Sequence, residues 1–156
     1  MGERLGGFIY GTVVVLAVII AAARSYSHGP GRIAVLVAAT SAGLWLAHVY
    51  AHALGESVAR DRHVSWGELG HIARREGSIV EAAIPPLIAL LLGALGVVSD
   101  SFAIWSALVL GLLVLAAQGL LFARVERLGW LGTVAVVAAN LALGLGLIAV
   151  KLLVTH

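Results

Sequence analysis

Five stretches of the chain are almost continuously apolar, at 5–23, 33–54, 80–98, 102–123 and 130–154, and the polar side chains gather between them. Each approaches the roughly 20 residues a helix needs to cross the hydrocarbon core of a bilayer. None alternates apolar and polar positions over about 10 residues, as a barrel strand does. Backbone groups in lipid must find partners within their own segment. The pattern therefore predicts an all-α, polytopic membrane protein with five transmembrane helices in a single domain, 1–156. The link between 98 and 102 is short enough to make the third and fourth helices an antiparallel hairpin. Arg4, the apolar run after it and Ala21-Ala22-Ala23 have the outline of a secretory signal, but the segment is read as a retained membrane helix.

The one sizeable polar segment, 57–78, is expected as a cytoplasmic linker. Ser65-Trp66-Gly67-Glu68 fits a capping box, and a short amphipathic helix should follow from Glu68 to Glu76. Leu69, Ile72 and Ala73 would turn towards lipid or protein, and Arg74, Arg75 and Glu76 towards water. Sidedness follows from the basic residues. Arg4, Arg60, Arg62, Arg74, Arg75, Arg124 and Arg127 fall on one side of a five-helix arrangement, against Arg24, Arg32 and Lys151 on the other. That bias predicts a cytoplasmic N-terminus and an outside C-terminus. Trp66, Trp130 and Tyr26 fall near the expected interfaces, where such side chains anchor helices.

Composition agrees with the pattern. Of 156 residues, 61% are hydrophobic and 12% charged, whereas a soluble domain carries about a quarter charged residues. The same apolar content excludes a disordered chain. A net charge of +2, dispersed along the sequence, excludes a nucleic-acid partner. Without cysteine there are no disulfides, thiolate metal sites or cysteine nucleophiles. Nine arginines against one lysine, with abundant Ala, Gly, Val and Leu, point to a bacterium of high GC content and hence to its plasma membrane.

The most informative chemistry lies in Trp45-Leu-Ala-His48-Val-Tyr-Ala-His52-Ala-Leu-Gly-Glu56. His48, His52 and Glu56 are four residues apart, one stripe on a helix, and Ser41 and Trp45 extend it inward. Two imidazoles one turn apart can ligate a divalent cation, with a carboxylate adding oxygen. The same groups can relay protons, because histidine titrates near neutral pH. Glu81, just ahead of Pro85-Pro86, falls on the same side and could join them. The candidate metal set is thus His48, His52, Glu56 and Glu81, with Fe, Mn or Zn as substrate. The competing reading has these residues snorkelling or bracing helices, with Glu81 a first-turn acid stabilised by the helix dipole.

No enzyme is expected. Val49 follows His48, so the glutamate of a metalloprotease HExxH is missing, and no Ser-His-Asp set, phosphate loop or dinucleotide fingerprint is present. Gln118 and Asn140 are amides inside apolar segments, suited to bonds between helices or to lining a pore. Gly7 and Gly11, with Gly132, Ala135, Ala139, Gly144 and Gly146, favour close packing. The expected partners are membrane lipid and a second copy of the chain in a homodimer.

Two local motifs resemble the vacuolar iron transporter family. Ala51-His52-Ala-Leu-Gly-Glu56-Ser-Val-Ala59 is similar to that family's second helix, with His52 where the family has methionine and Glu56 at its glutamate. Gly7-Phe-Ile-Tyr10-Gly11-Thr-Val resembles the glycine-rich start of its first helix, with Tyr10 where the family carries aspartate. The resemblance implies a five-helix divalent-metal transporter in reduced form, since the linker is short and Met1 is the lone methionine. Residues and resemblance together lead to one expectation: a transporter or channel for a divalent metal ion or proton, entered from the cytoplasm along the second helix. The alternative is a non-transporting scaffold or accessory subunit, whose basic loop contacts anionic lipid or another protein.

Overall fold

The computed structural model describes residues 2–23 and 29–154, without the side chains of residues 2–4, 147, 148 and 150–154. Arg24 and Tyr26, and the side chains of Arg4 and Lys151, lie outside the described residues. The described residues are 87% helix, in the order α1 (Gly2–Ala23), α2 (Pro30–Arg60), α3 (Trp66–Glu76), α4 (Ser78–Glu81), α5 (Ile84–Ala94), α6 (Asp100–Val125) and α7 (Trp130–Val154).

The first helix is the centre of the bundle. α1 is apolar on all sides and packs against α2, α4, α6 and α7, burying Val15, Leu16 and Ile19. Ile33 and Val37 of α2, Leu90 of α5, and Leu108 and Leu115 of α6 close the core around it. Gly7 and Gly11 serve this packing within the chain. A Cβ on Gly11 would stand 2.7 Å from the Ile79 carbonyl oxygen, and one on Gly7 would stand 2.8 Å from Ser78 Oγ. Glycine lets α1 and α4 meet backbone to backbone.

α2 is longer than its apolar core at 33–54. Pro30 occupies the first turn, where its missing N–H costs nothing, and the helix runs 31 residues to Arg60. At 1.5 Å per residue that is about 46 Å, well beyond a hydrocarbon core of about 30 Å. Its last turns, with Glu56 and Arg60, therefore project past the apolar zone. The linker shrinks accordingly to a turn at 61–65. Ser65 accepts a bond from the Glu68 N–H at 3.3 Å and donates its own N–H to the Glu68 carboxylate at 2.9 Å, closing the capping box that the sequence predicts.

The third apolar stretch departs most from expectation. Instead of one helix over 80–98, the limb Trp66–Glu81 meets Ile84–Ala94 at 53°. Pro85 and Pro86 have no N–H and cannot continue a helix arriving from α4, but they suit the first turn of a new one. α5 is then 11 residues, about 16 Å, or half a bilayer. It ends in a Schellman turn, with Gly96 at φ 73° and the Val97 N–H bonded to the Leu92 carbonyl at 3.0 Å.

Among the described residues three helices are thus long and apolar enough to cross a membrane, Leu5–Ala23, Pro30–Arg60 and Asp100–Val125, and the bent pair makes a fourth if its limbs form one span. In α7 the apolar run with described side chains covers Trp130–Gly146. α6 and α7 are held by the Asn140 amide, which donates to the Leu115 carbonyl at 3.3 Å. The start of α1 lies beside α4, whereas the start of α2 lies beside the end of α5. The bundle therefore has a polar end, formed by the start of α1, the end of α2 and α3–α4. The opposite end holds the α5–α6 hairpin.

Candidate functional site

At the polar end α1, α2 and α3 enclose a cavity of about 280 Å³ lined by Gly6, Gly7, Tyr10, His48, His52 and Glu76. The glycines give it a flat wall, while the other four supply every titratable group. Tyr10 and His48 have ring centroids 5.5 Å apart, and His48 and His52 6.5 Å apart. His52 Nδ1 then lies 3.7 Å from Glu76 Oε1. The four side chains form a line across three helices.

Their orientation comes from the backbone. His48 Nδ1 lies 3.0 Å from the Leu44 carbonyl oxygen and His52 Nδ1 3.0 Å from the His48 carbonyl oxygen. A carbonyl only accepts, so each Nδ1 carries a proton, and Nε2 is the ring nitrogen left for another partner. Glu76 is 8% exposed, held by the Arg75 guanidinium, whose Nε donates to Oε1 at 3.3 Å. Burying a carboxylate is costly unless it is paired, so Arg75 and the nearby His52 are what make this position tolerable. The Trp45 indole N–H donates to the Ala73 carbonyl at 2.9 Å, fixing α3 against α2 beside the cavity.

Glu76 was expected to face water and does not. It stands four residues after Ile72 and seven after Leu69, on the buried face of α3, and that spacing was the signal for it. Glu56 shares a surface opening along α2 with His52, away from His48; it also borders a neighbouring cavity of about 390 Å³ with Arg60, Glu68, His71 and Arg75, and lies 3.8 Å from the Arg60 guanidinium. Glu81 is exposed and lies outside the His48/His52 cavity. Ser41 is buried in α2 without lining the cavity, and Gln118 is buried on α6 with its carbonyl oxygen unpartnered among the described residues. No group of three or more His, Asp or Glu among the described residues is close enough to hold a metal ion.

The turn at 61–65 has its own electrostatics, outside the membrane-spanning segments. Glu68 bonds to Arg62, to Arg60 and to the backbone and hydroxyl of Ser65. The Arg62 guanidinium first, and the Ser65 N–H and hydroxyl after it, hold its carboxyl at about 2, below the usual 4.5. This network ties the end of α2 to the start of α3 and so places Glu76.

Fold and site together define a class: an all-helical chain whose apolar helices suit a membrane, with a mouth of titratable side chains at one end. Comparison with protein-family models, with curated proteins and with solved structures finds no match for the chain.

Proposed function

We propose that the protein is a transporter or channel for a small cation in a bacterial plasma membrane, with the Tyr10–His48–His52–Glu76 cavity as its cytoplasmic mouth. The observation that carries this reading is the continuous line of four titratable side chains along one cavity in an otherwise apolar bundle. Ionisable groups at membrane depth are expensive and mark ion or proton routes. Of the two expected cargoes, the proton suits this arrangement better. A proton can pass between groups a water apart, whereas a divalent metal needs a third ligand brought to His48 and His52.

The topology that goes with this reading has five passes, counting α4–α5 and α7, with the N-terminus inside and α3 at the cytoplasmic surface. The same reading pairs the chain with a second copy. Iron, manganese or zinc as cargo remains the form of the proposal that follows the iron-transporter resemblance at His52 and Glu56. One observation favours the alternative of a non-transporting scaffold. Beyond the cavity the described side chains of Leu16, Ile33 and Val37 pack together in the bundle's core.

Reconstituted proteoliposomes carrying an internal pH-sensitive dye decide between them. Under an imposed potential the intact chain should acidify the lumen faster than protein-free vesicles, and His52→Ala and Glu76→Gln should slow it. Parallel vesicles with a metal-sensing dye test Fe, Mn and Zn. Flux of none of these ions, or flux indifferent to both substitutions, refutes the transport reading and leaves the scaffold.

A further inference from the structure

We infer that the mouth binds an ammonium group, either ammonium itself or the head of a small primary amine. The inference rests on reading this cavity as a cation entrance, and it adds the chemistry of the cation. With both imidazoles in their neutral form, the cavity presents almost only hydrogen-bond acceptors. Each imidazole has its Nδ1 proton committed to a backbone carbonyl 3.0 Å away, and among the described residues neither Nε2 has a partner. Glu76 is buried, and only its Oε1 is engaged, by Arg75 and the nearby His52. Behind the Gly7 wall Ser78 is 2% exposed, and its buried hydroxyl has no hydrogen-bond partner among the described residues. Tyr10 adds a hydroxyl that can accept as well as donate.

A site of lone pairs around one carboxylate selects a cation that carries its own donors. An anion would meet Glu76 and two bare ring nitrogens. A divalent metal must draw its ligands to about 2.0–2.2 Å, and no three imidazoles or carboxylates among the described residues are gathered for that. An N–H donor reaches its acceptors at about 2.7–3.0 Å and needs no such collapse. An ammonium nitrogen can bond Glu76 Oε2 and the two Nε2 atoms, directly or through water, leaving Arg75 on Oε1. The cavity of about 280 Å³ holds such an ion with several waters, each taking about 30 Å³. The Tyr10 ring beside His48 offers the cation an aromatic face.

The test uses the full chain in detergent, with thermal unfolding followed by tryptophan fluorescence at constant ionic strength. Ammonium and methylammonium chloride should raise the midpoint saturably, while sodium and tetramethylammonium chloride should not. Tetramethylammonium has the charge but no N–H, so equal stabilisation by it overturns the inference, as does stabilisation by zinc or manganese alone. His48→Phe and His52→Phe keep a ring and remove the lone pair. Each should raise the half-saturating concentration roughly tenfold or more, as for losing one hydrogen bond to a charged group, whereas Asp100→Asn, in the first turn of α6 at the opposite end of the bundle, should leave it unchanged. Because Glu76→Gln can fail for structural reasons, the two phenylalanine variants decide. Proton flux without ammonium selectivity overturns this inference and leaves the transport reading standing. Ammonium selectivity without any flux does the reverse.

Discussion

Replacing Gly11 by alanine should destabilise the bundle, although alanine is the better helix former. The added Cβ would stand 2.7 Å from the Ile79 carbonyl oxygen, 3.0 Å from Ile79 Cα and 3.2 Å from Ala82 Cβ. A carbon and a carbonyl oxygen approach in proteins to about 3.3–3.6 Å, so α1 and α4 must part by roughly 0.6 Å or more. The first two obstacles are backbone atoms, and no rotamer change relieves them. Such overpacking costs about 1–3 kcal/mol, and a gap of about 0.5–1 Å forfeits a quarter to a half of the dispersion energy along the rest of the contact. Against this stands at most about 1 kcal/mol of helix propensity gained from losing glycine. The net expectation is a loss of about 1–2 kcal/mol. Gly43→Ala is the matched control, because nothing lies within 4 Å of its added Cβ. Reversible unfolding in mixed micelles, read by tryptophan fluorescence, compares the two directly. If Gly11→Ala is as stable as the parent chain or as Gly43→Ala, the backbone contact between α1 and α4 is not as close as argued. Tyr10 is the adjacent residue, so the same variant should also disturb the cavity it lines.

Two further outcomes follow from the polar end. Arg127 has φ 52° at the Schellman turn closing α6, where the Leu128 N–H reaches the Ala123 carbonyl at 2.9 Å; Arg127→Gly removes a left-handed strain of about 1 kcal/mol and should raise stability in the same unfolding assay, and a fall would show that the arginine side chain matters more. Glu68 is held at about 2 against a usual 4.5, chiefly by Arg62. A carboxyl with a depressed folded value stabilises fully above the unfolded value, and that contribution is lost as pH falls through the folded one. Amide protection at 65–69, taken relative to the intrinsic exchange rate at each pH, should therefore be high above about pH 4.5 and fall towards pH 2. Glu68→Gln should abolish this dependence, and an unchanged profile in that variant would remove Glu68 as its source.

Much of this architecture is legible in the sequence, since α1, α2, α6 and α7 each contain a predicted apolar stretch. Hydropathy reports how much chain is apolar, not the path it takes. Over 80–98 it is silent about the 53° bend, although Pro85-Pro86 mark where a new helix begins and Gly96 marks where it turns. The end of α2 was missed for the opposite reason. Glu56 and Arg60 break the apolar run, but a helix continues in water as readily as in lipid, and Arg60 in the last turn favours it through the helix dipole.

The candidate site was half legible, and the geometry of a helix explains which half. Steps of four residues do not return to the same azimuth. Each overshoots a full turn by about 40°, because a residue advances about 100°. His48 and Glu56, two such steps apart, therefore point roughly 80° away from each other. That angle is enough for His48 to meet Tyr10 on α1 while Glu56 borders the next cavity with Arg60 and His71. His52 lies between them, lining the Tyr10–His48 cavity and also sharing a surface opening with Glu56 along α2. The carboxylate that completes the mouth then has to come from another helix. α3 supplies it because Glu76 continues the Leu69, Ile72 and Ala73 face that the Trp45 and Arg60 contacts hold against α2. A stripe on one helix can nominate the first residues of a site in an apolar bundle. The partners are set by which neighbouring face each successive turn rotates towards.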